Sequence, residues 1–242
     1  MASPETGLRI DLGCGSAKKE GTLGIDILAG PGVDYVVDIE QQPLPFNSGT
    51  VAYVHSSHFL EHIRDPTRIF AEMGRVCADN AQVELWTPYA WSNPALIIDH
   101  KFFVAEDIYL HMCVWFIDFW REIVGSRWIL NEFHYVVDPR TLCYLKAKDI
   151  SLDFALRHLQ NIVTEFCAYI TVSRGDPHAP SPPIRRTFST SRLAPRFEIK
   201  PDPIARPLEA TATEAFSEPT TEVVQEAVNA FALGEALPAL TP

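Results

Sequence analysis

The chain has 242 residues, a net charge of −11, 47% hydrophobic residues and 11% aromatics, enough apolar matter for a sizeable core in one large domain or one domain with a tail. The acidic balance argues against DNA or RNA as a partner, because phosphate binding wants a basic face. No run of about 18 apolar residues is free of charge and no basic stretch leads into an apolar one at the N-terminus, so neither a membrane span nor a signal peptide is expected; Cys14, Cys77, Cys113, Cys143 and Cys167, scattered and without C-x-x-C, fit free thiols in a reducing cytoplasm better than disulfides or a zinc site.

Strand-like and helix-like pieces alternate, which points to an α/β fold with a parallel sheet. Leu8–Leu12 is the first strand and runs into Gly13-Cys14-Gly15. Leu23–Ile27 is the second, with Asp26 near its end, and Tyr35–Ile39 the third, with Asp38. Gln41–Asn47 holds two prolines and reads as a loop; Val51–His55 is the fourth strand. A helix is expected from Ser57 or His58, broken at Asp65-Pro66 and restarted there by Asp as N-cap and Pro at the first helical position. Ile69, Phe70, Met73 and Val76 give it a buried face, and Ala81–Trp86 is a fifth strand stopped by Thr87-Pro88.

From about residue 91 to 127 an aromatic-rich, mostly helical insertion follows, with Phe102, Phe103, Tyr109, Trp115, Phe116 and Trp120 among its members. It reads as a packed helical cap, and a lid over a cleft is compatible with that. Trp128–Val137 and Phe166–Ser173 are the last strands, with helical material at Asp149–Leu159 between them. All five Trp and all seven Tyr precede Arg174, whereas 11 of the 19 Pro follow it. Residues 1–174 are therefore the expected domain and 175–219, rich in Pro, Ser, Thr and Arg, a linker or surface-hugging arm. In 220–242 a short helix is expected over Thr221–Leu233, docking on the body or on a second subunit.

A strand, a Gly-x-Gly turn and an acid at the tip of the next strand form a nucleotide-type constellation: the glycines admit the ligand and the carboxylate accepts from ribose hydroxyls. Gly15 and Asp26 are only eleven positions apart and Lys18 stands where a third glycine belongs. Both features count against a dinucleotide.

The sequence resembles the class I S-adenosylmethionine-dependent methyltransferases. Ile10-Asp11-Leu12-Gly13-Cys14-Gly15 looks like their first motif and Gly24-Ile25-Asp26-Ile27 like their second-strand acid. Asp38 with Leu44-Pro45-Phe46 resembles their D…LPF segment. The run from Ser56 through Leu60-Glu61-His62-Ile63 to Asp65-Pro66, then Arg75-Val76 and Thr87-Pro88, resembles the small-molecule branch, most closely the enzymes of sugar and polysaccharide biosynthesis. The resemblance implies a doubly wound, Rossmann-like methyltransferase sheet with a shortened first crossover and the helical insertion after strand 5. It also implies S-adenosylmethionine as cofactor, with Asp11, Gly13, Cys14 and Gly15 at its methionine end, Asp26 and Ile27 at the ribose, Asp38 and Ile39 at the adenine, and Ser57 and His58 near the sulfonium. The short crossover leaves the usual first helix vestigial, its cover supplied by the tail or by a second copy in a homo-oligomer.

Methyl transfer to a hydroxyl needs an aligned acceptor and a proton acceptor, a task suited to histidine. His62 and His100 are the candidates and Asp99 the orienting or substrate-binding group, while His55 reads as an interior histidine. His58-x-x-Glu61-His62 also matches H-x-x-E-H, but its place after the fourth strand argues against a protease. No metal ligand is assigned there, although a divalent cation such as magnesium is geometrically admissible. The expected activity is O-methylation of a sugar or glycan-like small molecule; the rivals are a phenolic or other small metabolite as acceptor, or a non-catalytic cofactor-binding partner of another enzyme.

Overall fold

The computed structural model describes residues 7–199. Nine strands form one sheet: β1 (Leu8–Leu12), β2 (Leu23–Asp26), β3 (Tyr35–Val36), β4 (Val51–Ser57), β5 (Cys77–Pro88), β6 (Arg127–Val137), β7 (Val163–Ser173), β8 (Arg185–Ser189) and β9 (Phe197–Glu198). Their order is β3-β2-β1-β4-β5-β7-β6-β8-β9. β1 to β5 pair in parallel, and β7 enters antiparallel between β5 and β6. The direction of winding reverses between β1 and β4, where open α/β sheets place their ligands beyond the strands' carboxyl ends.

The helices are α1 (Pro66–Val76), α2 (Glu106–Leu110), α3 (Ile117–Val124), α4 (Pro139–Ala147) and α5 (Leu152–His158). α1 starts as its sequence dictates: Asp65 Oδ1 accepts from Arg68 N at 3.3 Å and Pro66 fixes the first turn. Its Ile69, Phe70, Met73 and Val76 are buried. Gly74 lets α3 approach closely, since a Cβ there would sit 2.0 Å from Val124 O. α4 begins on the same Asp-Pro signal, with Asp138 Oδ1 accepting from Arg140 N at 2.8 Å, although only the later helix was expected in that interval. The insertion is mostly helical as expected, with a 3-10 turn at Asn93–Leu96 and a π-helical turn at His111–Trp115 between α2 and α3.

Period-2 alternation separates the sheet's two faces. Ile10, Leu12, Val54, Val83, Leu85, Leu130 and Phe166 join the large core cluster, which also takes in buried side chains from all five helices. Among the described residues, the other face carries the small cluster of Trp86, Val136 and Cys167 and is otherwise polar. There Glu84 accepts from Lys19 Nζ and Trp86 Nε1, each at 2.7 Å, and from the Tyr53 hydroxyl. The first crossover, residues 13–22, contains no helix. It is pinned instead by Lys19 N donating to Asp11 Oδ2 at 2.8 Å and Gly13 N to Ile25 O at 2.8 Å.

Glu84 gives this face a pH signature. Burial pushes its carboxyl up, but bonds from Lys19, Tyr53 and Trp86 outweigh that and hold it at about 2, below the ordinary 4.5. A carboxyl depressed by folding contributes stability above its unfolded pKa and loses it as pH falls through the folded value. Glu84→Gln is expected to cost about 1–3 kcal/mol at neutral pH. It also flattens the acid-side loss of stability between pH 4.5 and about 2, measured by urea unfolding at a series of pH values.

Several expectations are corrected. β4 runs on to Ser57, and where a helix was expected from Ser57 or His58 only a 3-10 turn, Leu60–His62, is present. His58 lies in left-handed space at φ 54°, so His58, Glu61 and His62 do not share a helix face. β3 is two residues long, and Asp38 sits in the turn beyond it. Within the expected linker or arm, residues 185–198 build β8 against β6 and β9 against β8. Composition misses this because the segment's arginines pair with acids of the body, Arg196 with Glu132 at 2.7 Å and Arg192 with Glu165 at 2.5 Å. Fully buried Phe188 stacks on Tyr135 at 4.9 Å. The expected helix over 221–233 lies outside the described residues.

Candidate active site

A cavity of about 330 Å³ opens where β1, β2 and β4 end, within the range of small-ligand sites. Of the residues expected around a cofactor, Gly13, Asp26, Ile27, Asp38, Ile39 and His58 line it, and His62 stands on the same wall. Phe59, Glu40 and Lys101 also line it and were not foreseen. Gly13 needs both its φ of +67° and its missing side chain: a Cβ would lie 2.5 Å from the Phe59 ring. Gly13→Ala is therefore expected to lose thermal stability and cofactor affinity together. Adding Phe59→Ala removes the ring contacts but leaves the Cβ of residue 59 at 2.6 Å and the backbone strain, so the double variant recovers only part, as read by melting with and without ligand.

Asp26 closes the glycine turn from its tip. Its Oδ2 accepts from Gly15 N at 2.9 Å and its Oδ1 from Leu28 N at 3.0 Å. A carboxylate has about four acceptor sites, so both oxygens keep capacity for two ribose hydroxyls. Asp38 is held in the same style, accepting from Glu40 N at 3.1 Å and Gln41 Nε2 at 2.7 Å. With apolar Ile25, Ile27, Val37 and Ile39 beside them, these acids make a slot fit for an adenosine: flat apolar walls and acceptors at its polar edge.

Four expected residues do not line the cavity. Asp11 is buried, taking His55 Nδ1 at 2.7 Å on Oδ1 and Lys19 N on Oδ2, because strand alternation turns it to the polar face, away from Leu12. His55 is thus the interior histidine expected. The Cys14 thiol is buried and pushed up to about 11 by that burial and by Asp11 and Asp26. Gly15 acts through its N–H on Asp26, and Ser57 Oγ accepts from Arg192 at 2.9 Å.

His58 stands between two acids, Nδ1 donating to Glu61 Oε1 at 3.1 Å and Nε2 to Glu165 Oε2 at 2.9 Å. Glu165 and then Glu61 raise its pKa to about 9, so the ring is an imidazolium at neutral pH and not a base. Burial pushes Glu165 up, but His58 and Arg192 pull it down to about 2. Arg192 also lies over the Trp86 ring, 4.4 Å from its centroid. Sequence reading missed Glu165 and Arg192; no local spacing links β7 and the segment after β8 to the end of β4.

The three residues expected to handle the acceptor come together. His62 Nδ1 lies 3.3 Å from Asp99 Oδ2, and the His62 and His100 rings meet edge to face at 4.9 Å. His62 lines the cavity, whereas Asp99 and His100 touch His62 without lining it. Of the unassigned histidines, His111 accepts from Trp120 Nε1 at 2.7 Å. His134 is buried, which lowers its pKa to about 4.

Residues 28–84 match the family described as methyltransferase domain, a segment that begins after the glycine turn and runs through the 3-10 turn into β5. No curated protein matches the chain. Among solved structures, the fold is similar to an S-adenosylmethionine-dependent methyltransferase from Archaeoglobus fulgidus, at 18% identity and TM-score 0.48 over 68% of this chain and 86% of that one. It is also similar to one from Mesorhizobium loti, at 15% identity and TM-score 0.43 over 71% and 94%. A geranyl diphosphate C-methyltransferase from Streptomyces coelicolor A3(2) follows at 14% identity and TM-score 0.40 over 71% and 75%. The methyltransferase-domain match thus lies on this strand order, on the segment whose strand-end acids line the cavity.

Proposed function

We propose that the chain is an S-adenosylmethionine-dependent methyltransferase of the class I fold that acts in the cytoplasm on a hydroxyl of a sugar or glycan-like small molecule. The observation that carries the reading is the placing of His62, backed by Asp99 and His100, on the wall of the cavity that Asp26 and Asp38 also line. S-adenosylmethionine, when bound, supplies a methyl group activated on a sulfonium. Asp26 would accept from the ribose, and Asp38 with Ile39 would meet the adenine. His62 takes the proton of the acceptor hydroxyl, and Asp99 holds the ring with its other nitrogen toward the cavity. Exposed Trp91 and Phe103 on the insertion offer faces on which a sugar ring can stack. Among the described residues no helix is long and apolar enough to cross a membrane.

The same aromatic faces favour a second reading, a phenolic acceptor. The test is transfer of a labelled methyl group to parallel panels of glycosides, nucleotide sugars and phenols. Turnover confined to the glycosyl compounds supports the proposal, and turnover confined to phenols replaces it. Tight S-adenosylhomocysteine binding with no methylation in any panel favours a non-catalytic cofactor-binding partner.

A further inference from the structure

Glu61 is 2% exposed. One carboxylate oxygen accepts from His58; the other, Oε2, is buried without a hydrogen-bond partner. A buried carboxylate oxygen left unpaired costs on the order of kilocalories, so Oε2 calls for a partner of its own beyond the His58 imidazolium on Oε1. Two imidazoles are at hand: Glu61, His62 and His100 each place one donor atom so that all three lie within 4.8 Å of one another.

Both rings are held from behind. His100 Nδ1 donates to Ala95 O at 3.1 Å, and His62 Nδ1 faces Asp99 Oδ2 at 3.3 Å. Each therefore keeps Nε2 as its basic nitrogen, the arrangement in which an oxygen behind a histidine fixes tautomer and aim for a metal. The two segments are already joined by backbone: Lys101 N and Phe102 N donate to Glu61 O at 2.6 and 3.1 Å, and Lys101 Nζ to His62 O at 3.2 Å. The cluster is thus assembled by the fold.

We propose that Glu61, His62 and His100 bind one divalent first-row transition-metal ion of the zinc type. Two imidazoles and a carboxylate suit such an ion, whereas magnesium and calcium prefer all-oxygen sets. Metal–ligand bonds of about 2.0–2.2 Å put ligand atoms roughly 3.4 Å apart. The widest of the three separations must therefore close by up to about 1.4 Å, within reach of the partly exposed His62 side chain. His58, the first histidine of the H-x-x-E-H run, is not a ligand, because both its nitrogens are spent on Glu61 and Glu165. The bound ion clips the insertion to the end of β4 at the cavity wall. Its charge then stabilises the acceptor's alkoxide, and the proton passes to solvent water in place of a free His62 nitrogen.

The test reads metal content and needs no known acceptor, so its failure and that of the methylation reading are distinguishable. The full chain, stripped with a chelator, is titrated with Zn²⁺ and with Co²⁺ as a spectroscopic probe. One ion per chain is expected, with a Co²⁺ visible band of low-symmetry coordination and no displacement by millimolar Mg²⁺. Glu61→Gln and His100→Gln each weaken Zn²⁺ binding at least tenfold, whereas exposed His178→Gln does not. Circular dichroism of the metal-free variants checks that they are folded; if one is not, His62→Gln replaces it. Substoichiometric binding, displacement by Mg²⁺, or unchanged affinity in the folded variants overturns the proposal.

Discussion

Asp26→Ala weakens S-adenosylhomocysteine binding by roughly 10–150-fold, the equivalent of about 1.5–3 kcal/mol for hydrogen bonds to a charged group. The size follows from the carboxylate's double duty. It offers acceptors to the ribose from the tip of β2, and it ties Gly15 N and Leu28 N on either side of the slot. With no helix in residues 13–22, those ties are among the few holding the glycine turn in place. Asp26→Asn separates the two contributions, because its amide oxygen can still accept from Gly15 N while one acceptor and the charge are gone. The asparagine variant is expected to lose less affinity than the alanine one. Calorimetry on both decides the matter, and an unchanged affinity in folded Asp26→Ala would remove Asp26 from the cofactor site.

What the sequence made legible here depended on whether the signal was local. The Gly13 turn, the Asp26 tip and the Asp65-Pro66 start are each written in consecutive residues, and each is found where backbone chemistry requires it. Asp11 was read from its motif as a cofactor residue, yet strand alternation turns it to the polar face and onto His55. The Arg-rich segment after residue 175 reads as a linker or surface-hugging arm, without its strands, for a different reason. Its composition is that of a solvated chain, and only long-range partners, Glu132 and Glu165 from β6 and β7, convert its arginines into struts. Arg192 travels in this way from the sheet edge to Ser57 at the end of β4, a contact across 135 positions that no periodicity encodes. The polar second face has the same origin, since the first crossover is too short to carry the helix that would cover it.

The other large effect is expected at His62. His62→Gln should lower turnover by about 10²–10⁴-fold, the usual worth of a positioned proton acceptor, while S-adenosylhomocysteine affinity stays within a few fold because Asp26, Asp38 and the apolar walls are untouched. Asp99→Asn should cost less, because it removes orientation and leaves the ring: Asp99 is exposed and meets His62 at 3.3 Å. A merely structural His62 would move KM and melting temperature together with kcat, so the split between kcat and cofactor affinity is the first discriminator. Chemical rescue is the second. In His62→Gly, added imidazole should restore part of the turnover if the missing function is a nitrogen at that place. The same variant assigns that nitrogen its duty. Rescue in metal-free protein makes His62 the proton acceptor itself, whereas rescue that also demands Zn²⁺ makes it a ligand in the Glu61–His62–His100 cluster, with the ion stabilising the alkoxide and solvent water taking the proton.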